Sequence, residues 1–160
     1  MRQKPSILRF LAAPVRDKFT ALEAVFELAI ARLNTLASPK HFTALMGELE
    51  GRPVSANCEQ QARAERIGNI VEQVARRLPF RCVCLQQVLA SRRMLKRRHL
   101  PATVYLGVLP EEMPLASESE NQRNNKLPGT AAHAWVKSGD RVVNGDSPDL
   151  GRYVVLGIFS

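Results

Sequence analysis

The feature that most constrains the fold is a β-hairpin signal in the last third of the chain. Residues 132–137 and 141–144 are short runs of strand-forming residues, and the Gly139-Asp140 pair between them is a recognised two-residue hairpin turn. Side chains alternate between the two faces of a sheet, so the register of this hairpin determines which polar side chains meet.

A two-residue turn predicts that Val136 lies opposite Val143 and that His133 lies opposite Asp146. Directly opposed residues share a face of the sheet, with Cβ atoms roughly 4.5–5.5 Å apart. An imidazole and a carboxylate at that distance can form a hydrogen bond. A longer turn, or a bulge near Gly145, would move the partner by one residue and change the face.

Cys84 precedes a segment with the periodicity of an α-helix. Residues 85–98 place apolar side chains near one face, and Pro79 and Pro101 bound the segment. Cys84 is therefore expected at or just before the first helical turn, where unpaired backbone N–H groups and the helix dipole favour an anion. A thiolate at such a position has a lowered pKa, and the same N–H groups can line an oxyanion hole.

The chain order Cys84, His133, Asp146 is that of nucleophile, base and orienting group in papain-like and transglutaminase-like enzymes. Each residue also has a structural interpretation, because a cysteine is often a small core residue, a strand histidine is often structural, and an aspartate after a strand is often a turn residue. Asp149 is the alternative third residue if the chain bulges at Gly145. The order and the pairing together predict a catalytic triad.

Residues 67–160 contain a series of motifs whose order and spacing resemble those of one family. They are Ala75-Arg76-Arg77-Leu78-Pro79, Cys84-Leu85-Gln86-Gln87-Val88-Leu89-Ala90, Leu100-Pro101-Ala102, the Ala-His-Ala-Trp-Val run at 132–136, Val142-Val143-Asn144-Gly145 and Asp149-Leu150-Gly151-Arg152-Tyr153. In these motifs the chain resembles the lasso-peptide leader peptidases, a transglutaminase-like group of cysteine proteases. The match selects Cys84 rather than Cys82 as the nucleophile, because Leu85 follows it directly.

The resemblance implies a cysteine endopeptidase that removes the leader from a ribosomally synthesised lasso precursor peptide. Cys84 would attack the scissile carbonyl, His133 would deliver the proton to the leaving amine, and Asp146 would fix the imidazole tautomer. Water would hydrolyse the thioester acyl-enzyme, with no metal or organic cofactor. The implied partners are the precursor peptide, a separate small leader-recognition protein and the macrocycle-forming lasso synthetase.

Two other functions fit the same residues. A transglutaminase-like acyltransferase would resolve the thioester with an amine instead of water. A non-catalytic module would bind peptides or proteins through the basic end of the helix, which is formed by Arg92, Arg93, Lys96, Arg97, Arg98 and His99. A solvated helix face is the simplest explanation of most of this cluster, and no motif supports nucleic acid as a partner.

The composition favours a reducing compartment. Cys58, Cys82 and Cys84 lack the spacing of a disulfide framework or a zinc site, and a free catalytic thiol suits the cytoplasm. The run from Met1 to Leu11 has no adequate apolar core, so we expect neither a signal peptide nor a membrane span. The net charge of +8 favours acidic partners such as an acidic peptide or protein.

The expected fold class is α+β, with N-terminal helices and a papain- or transglutaminase-like core whose cysteine starts a helix packed on an antiparallel sheet at 103–159. We expect a single domain over 1–160. Within it, residues 1–56 should form a helical extension and residues 57–160 the catalytic core.

Several local signals predict the remaining elements. Residues 20–37 should form a helix that packs as an extension of the core, since apolar residues recur at helical spacing: Leu22, Val25, Phe26, Ala29, Ile30, Leu33 and Leu36. A Ser-Pro pair at 38–39 predicts a short helix, and Asn57 with Gln60 predicts a capping box for the next one. The long segment 109–130 is expected to be a solvated loop.

Overall fold

A four-stranded antiparallel sheet flanked by α-helices forms the protein, which we describe from a computed structural model for residues 15–37, 51–109 and 132–160. The described helices are α1 (Val15–Ala37), α2 (Cys58–Ala75) and α3 (Cys84–Arg97). The strands are β1 (Thr103–Val108), β2 (Ala132–Ser138), β3 (Arg141–Asn144) and β4 (Val154–Phe159), in the order β3-β2-β1-β4. The predicted α+β class is confirmed. The predicted helix after residue 38, and nearly all of the predicted 109–130 loop, lie outside the described residues.

The start of α2 is fixed by a reciprocal pair of hydrogen bonds. The Asn57 side chain accepts from the Gln60 backbone N–H at 2.8 Å, and the Gln60 side chain accepts from the Asn57 backbone N–H at 3.0 Å. The predicted capping box is therefore confirmed. It orients α2 so that Ile67 and Val71 enter the core that α1 and α3 share.

Helix α3 begins at Cys84 itself, which confirms the predicted position of the thiol at a helix N-terminus. The burial of Val88, Leu89 and Leu95 holds one face of α3 in the core. At the entry to the helix, the Gln86 side chain accepts from the Val83 N–H at 3.3 Å, and the Gln87 side chain donates to the Cys82 carbonyl at 3.1 Å. Two successive glutamines thus fix the backbone conformation around Cys84.

The turn end of the hairpin has the predicted structure. Ser138 lies opposite Arg141, and Lys137 lies opposite Val142. Gly139 has a φ of +57°, the left-handed conformation that a tight two-residue turn requires and that glycine adopts readily.

The predicted register is wrong closer to the site, because the pairing shifts between Val136 and Lys137. Val136 lies opposite Asn144 rather than Val143. The irregularity lets Val143 and Asn144, which are consecutive, both turn into the protein, where they are 5% and 1% exposed. Strand β3 ends at Asn144, so the predicted pairing of His133 with Asp146 does not form.

The hairpin lies directly on the backbone of α2. A Cβ atom at Gly68 would be only 1.9 Å from the carbonyl oxygen of Val143. Only a residue without a side chain therefore fits between the helix and β3 at this point.

Helix α1 packs through a different face from the one that the sequence predicts. Its buried residues are mostly small: Ala21, Ala24, Leu28 and Ala31. Alanines allow close approach to α2 and α3, whereas the larger apolar side chains that predicted the packing lie mainly on the opposite, exposed face. Neither α1 nor the other described helices combine the length and the apolarity that crossing a membrane requires.

Ion pairs join α1 to the basic end of α3. Glu27 is buried and lies 3.2 Å from Arg93 and 2.8 Å from Arg97, while Glu23 bonds Arg97 and Arg98. The hydrogen bond from Arg98 is the largest cause that lowers the pKa of Glu23. Three of the arginines predicted to form a solvated face thus hold α1 and α3 together. The sequence of α3 alone could not predict this, because the acidic partners lie on α1.

Candidate active site

The start of α3 meets β2 at the edge that β3 leaves uncovered. Strand β3 pairs with β2 only as far as Val136, so the preceding residues of β2 face the helix N-terminus. There the Cys84 side chain forms a hydrogen bond with the His133 imidazole and another with the backbone of Ala134. The structure therefore brings together two of the three predicted site residues.

The pKa of the Cys84 thiol lies below its ordinary value. Burial is the largest single influence and raises this pKa, but the hydrogen bond from His133, those from the Ala134 and Leu85 backbone, and the positive charge of the imidazole together outweigh it. Leu85 belongs to the first turn of α3, so part of the effect comes from helix-terminal N–H groups.

The pKa of His133 moves in the opposite direction. Its hydrogen bond with Cys84 is the largest cause and raises the pKa, burial lowers it, and the Gly145 carbonyl together with the charge of the thiolate raises it further. A lowered thiol pKa beside a raised imidazole pKa favours a thiolate–imidazolium pair. Such a pair is the nucleophilic form of a cysteine–histidine site.

The carbonyl oxygen of Gly145 lies 2.7 Å from Nε2 of His133. A carbonyl oxygen only accepts hydrogen bonds, so this contact requires a hydrogen on Nε2 and leaves Nδ1 to exchange a proton with the thiol. Gly145 has a φ of +79°, and a Cβ atom there would be 2.5 Å from the carbonyl oxygen of Ala134. Sequence patterns indicate only a possible bulge at Gly145 and do not predict its contact with the imidazole.

Neither predicted acid contacts the imidazole. Asp146 is exposed, and it forms no hydrogen bond or ion pair within the described ranges. Asp149, the alternative, lies 3.3 Å from Arg152. The role of Asp146 as a third catalytic residue stays a prediction. In the structure, the group that contacts Nε2 of His133, the ring nitrogen away from the thiol, is the Gly145 carbonyl.

Aromatic rings hold the His133 imidazole on the sheet. Its centroid is 6.0 Å from that of Trp135, with 20° between the planes, and 5.2 Å from that of Tyr153. Trp135 in turn stacks on Tyr105 at 5.5 Å. Gly107 lies opposite His133, and a Cβ atom there would be 3.0 Å from the Trp135 ring. These contacts restrict the imidazole to the orientation that reaches Cys84.

The other cysteines lie in different environments. Burial is the main cause that raises the pKa of Cys82, and Cys58 is exposed at the start of α2. All three thiols are free. Across residues 15–37, 51–109 and 132–160, no three His, Cys, Asp or Glu side chains converge as metal ligands would. Cys84 is therefore the cysteine that the structure pairs with a base.

The sequence profile of the Transglutaminase-like superfamily matches residues 26–117, which is more than half of the chain. The chain belongs to this superfamily, whose members are usually cysteine-dependent enzymes of the protease or acyltransferase type. The match includes Cys84 and ends before His133, so the contact between the two comes from the structure alone. No curated protein and no solved structure matches this chain.

Proposed function

We propose that this protein is a cytoplasmic cysteine endopeptidase that removes the leader from a ribosomally synthesised lasso precursor peptide. The hydrogen-bonded Cys84–His133 pair, with its opposed pKa shifts, is the observation that carries the proposal. Superfamily membership supports the reaction class. The motif resemblance to lasso-peptide leader peptidases supports the substrate, a separate leader-recognition protein and the lasso synthetase as partners.

The proposed reaction uses the pair in two steps. The Cys84 thiolate attacks the scissile carbonyl, and the His133 imidazolium gives its proton to the leaving amine, so that a thioester forms as the peptide bond breaks. His133 then takes a proton from water, which attacks the thioester and restores the Cys84 thiol. Backbone N–H groups at the start of α3 would stabilise the negative oxygen in both steps. The Gly145 carbonyl would keep the imidazole in the required tautomer throughout.

Replacing each cysteine separately tests the nucleophile. Cys84→Ala should reduce precursor cleavage by at least about 10³-fold, because nothing else in the site can form the thioester. Cys82→Ala and Cys58→Ala are the matched controls and should keep most of the activity. Products should be identified by mass spectrometry, with the candidate precursor and its recognition protein present. Full activity in the Cys84 variant would exclude the mechanism, and a cross-linked product in the wild type would identify an acyltransferase instead.

The pH dependence of alkylation separates an enzyme from a non-catalytic binding module. A thiol whose pKa is lowered stays ionised as the pH falls below the ordinary thiol value of about 8.5. Cys84 should therefore react with iodoacetamide at neutral pH faster than Cys58, and His133→Ala should move the midpoint upward because it removes the stabilising imidazole. Peptide mapping assigns the labelled cysteine. Alkylation of Cys84 with the pH profile of an ordinary thiol would favour the binding module.

A further inference from the structure

Helix α1 carries a second apolar face that points away from the core. We call it the outer stripe, and its residues are separated alternately by four and three positions: Val15, Phe19, Leu22, Phe26, Ala29, Leu33 and Leu36. Apart from Ala29, these side chains are between 63% and 70% exposed. Contiguous apolar surface of this kind is uncommon on soluble monomers and marks interaction sites.

The spacing of the outer stripe is that of a coiled-coil seam. Alternating steps of four and three residues give an average period of 3.5, the spacing of positions a and d in a heptad repeat. The stripe runs along the 23 residues of α1, so it is about 35 Å long and covers about three heptads. A surface with this period and length matches the apolar seam of another helix.

Helix α1 cannot bury the outer stripe by turning about its axis. Its inner face is occupied by Ala24 and Leu28, which are fully buried, and Glu27 is held by two arginines of α3. Rotation would expose the core side chains and leave a buried carboxylate unpaired, which is strongly unfavourable. The outer stripe is thus a fixed property of the surface formed by the described residues.

The charges beside the outer stripe indicate the kind of helix that fits it. In the heptad register that places the stripe at positions a and d, Arg16 and Arg32 occupy flanking e and g positions and are basic. The acid in a flanking position, Glu23, already bonds Arg97 and Arg98. The rim is therefore positive overall, and a helix with acidic flanks would complement it.

The outer stripe also leads toward the candidate active site. Near the C-terminal end of α1, the Arg32 guanidinium donates to the Arg81 carbonyl at 2.9 Å, and the Thr35 hydroxyl accepts from the Gln86 side chain at 2.9 Å. Both contacts tie this end of α1 to the start of α3, which carries Cys84. A helix bound along the stripe would have one end beside that region.

We propose that the outer stripe of α1 binds an amphipathic α-helix of a partner protein, with an apolar seam of heptad spacing and acidic residues on both flanks. The interaction is independent of the proposed reaction, because it uses no residue of the Cys84–His133 site. Cys84→Ala should therefore bind such a helix as well as the wild type does.

A pair of synthetic peptides tests this proposal. Both carry three heptads with Leu at positions a and d; one has Glu and the other Lys at positions e and g. Fluorescence anisotropy should show binding of the Glu peptide at least about tenfold tighter than that of the Lys peptide, since the basic rim attracts acidic flanks and repels basic ones. Failure of the Glu peptide to bind, or equal binding of both, would overturn the proposal.

The double variant Leu22→Glu/Phe26→Glu locates the binding surface. Both side chains are mainly exposed, so the melting temperature should hardly change, while binding of the Glu peptide should weaken by about tenfold or more. Leu156→Glu on β4 is the matched control, because that leucine is 59% exposed and lies outside α1. Unchanged binding in the double variant would refute the assignment.

Two further measurements separate other occupants of the stripe. Sedimentation equilibrium should show a monomer, and a dimer that dissociates in the double variant would assign the stripe to self-association and overturn the proposal. Flotation with vesicles of phosphatidylcholine and phosphatidylserine should show no binding that depends on Leu22 and Phe26. Loss of vesicle binding in the double variant would assign the stripe to a membrane surface instead.

Discussion

The two ends of the β2–β3 hairpin differ in how closely their strand pairing follows the local sequence. At the turn end, Ser138 pairs with Arg141 as a two-residue turn requires. At the site end, the pairing is irregular, and Asn144 is buried with neither side-chain polar atom hydrogen-bonded within the described residues. Gly145 follows in a left-handed conformation. Local sequence preference determines the strand pairing at the turn end. At the site end, where the chain contacts the imidazole, the pairing departs from that preference.

The difference shows what the site end gains from its irregularity. A regular continuation of β3 would cover the edge of β2 beside Ala134, where the Cys84 thiol now accepts a backbone hydrogen bond. It would also remove the Gly145 carbonyl from His133. Burying an amide without a partner costs about 1–3 kcal/mol, a destabilisation that proteins tolerate mainly at functional sites.

The largest expected difference between the two ends is in the effect of single side-chain truncations. His133→Ala at the site end should lower the cleavage rate by about 10³-fold or more, because the thiolate loses its partner and the leaving amine its proton donor. Arg141→Ala at the turn end removes an exposed ion pair with Glu65 and should leave the rate nearly unchanged. Single-turnover rates of the two variants provide the comparison. A similar loss in both would show that the hairpin acts as one structural unit rather than as two distinct ends.

The two left-handed glycines sharpen the comparison. Gly145→Ala would bring a Cβ atom against the Ala134 carbonyl and displace the carbonyl that holds His133, so we expect a rate loss of about 10- to 100-fold. The midpoint for Cys84 alkylation should rise in the same variant. Gly139→Ala would meet mainly the amide end of the Gln61 side chain, so it should cost about 1–2 kcal/mol of stability and no activity per folded molecule. Thermal unfolding and active-site titration distinguish the two effects, and an unchanged alkylation midpoint in Gly145→Ala would contradict the role of its carbonyl.

The smallest expected effect is at Asp146. Its carboxylate is exposed and forms no hydrogen bond or ion pair with a described residue, so Asp146→Ala should change the cleavage rate by less than about tenfold. The triad predicted from the sequence requires a loss of roughly 10²–10⁴-fold. A loss of that size would restore Asp146 as the orienting residue and reduce the Gly145 carbonyl to a secondary contact. Asp149→Ala tests the alternative acid and should also change the rate little, because that carboxylate lies beside Arg152.

Signals confined to a few neighbouring residues predicted the structure well. The Asn57–Gln60 capping box, the helix that starts at Cys84 and the Gly139-Asp140 turn each follow from short-range geometry. The contact between Cys84 and His133 was expected from the order of residues in the family, and the structure forms it.

Features that depend on packing between distant segments could not be predicted in this way. The register shift beyond Lys137 results from the burial of both Val143 and Asn144, which no turn rule describes. The choice of the inner face of α1 depends on Glu27, whose arginine partners are some 70 residues away in the sequence, as the hydrogen bond to Arg97 illustrates. In the hairpin and in α1, tertiary contacts override the local pattern, which is the turn-defined register in one and the apolar spacing of the helix in the other.

The absence of a side chain at Gly68 has a consequence for how this protein can vary during evolution. Helix α2 and strand β3 are in contact through their backbones there. The closest obstacle to a side chain is a backbone carbonyl oxygen, so a second substitution could not make room for a larger residue at position 68. Any larger residue must shift β3, and Gly145, whose carbonyl contacts the His133 imidazole, lies two residues beyond the contact at Val143. Selection should therefore conserve Gly68 as strictly as a residue of the active site, although it contacts neither the thiol nor the imidazole.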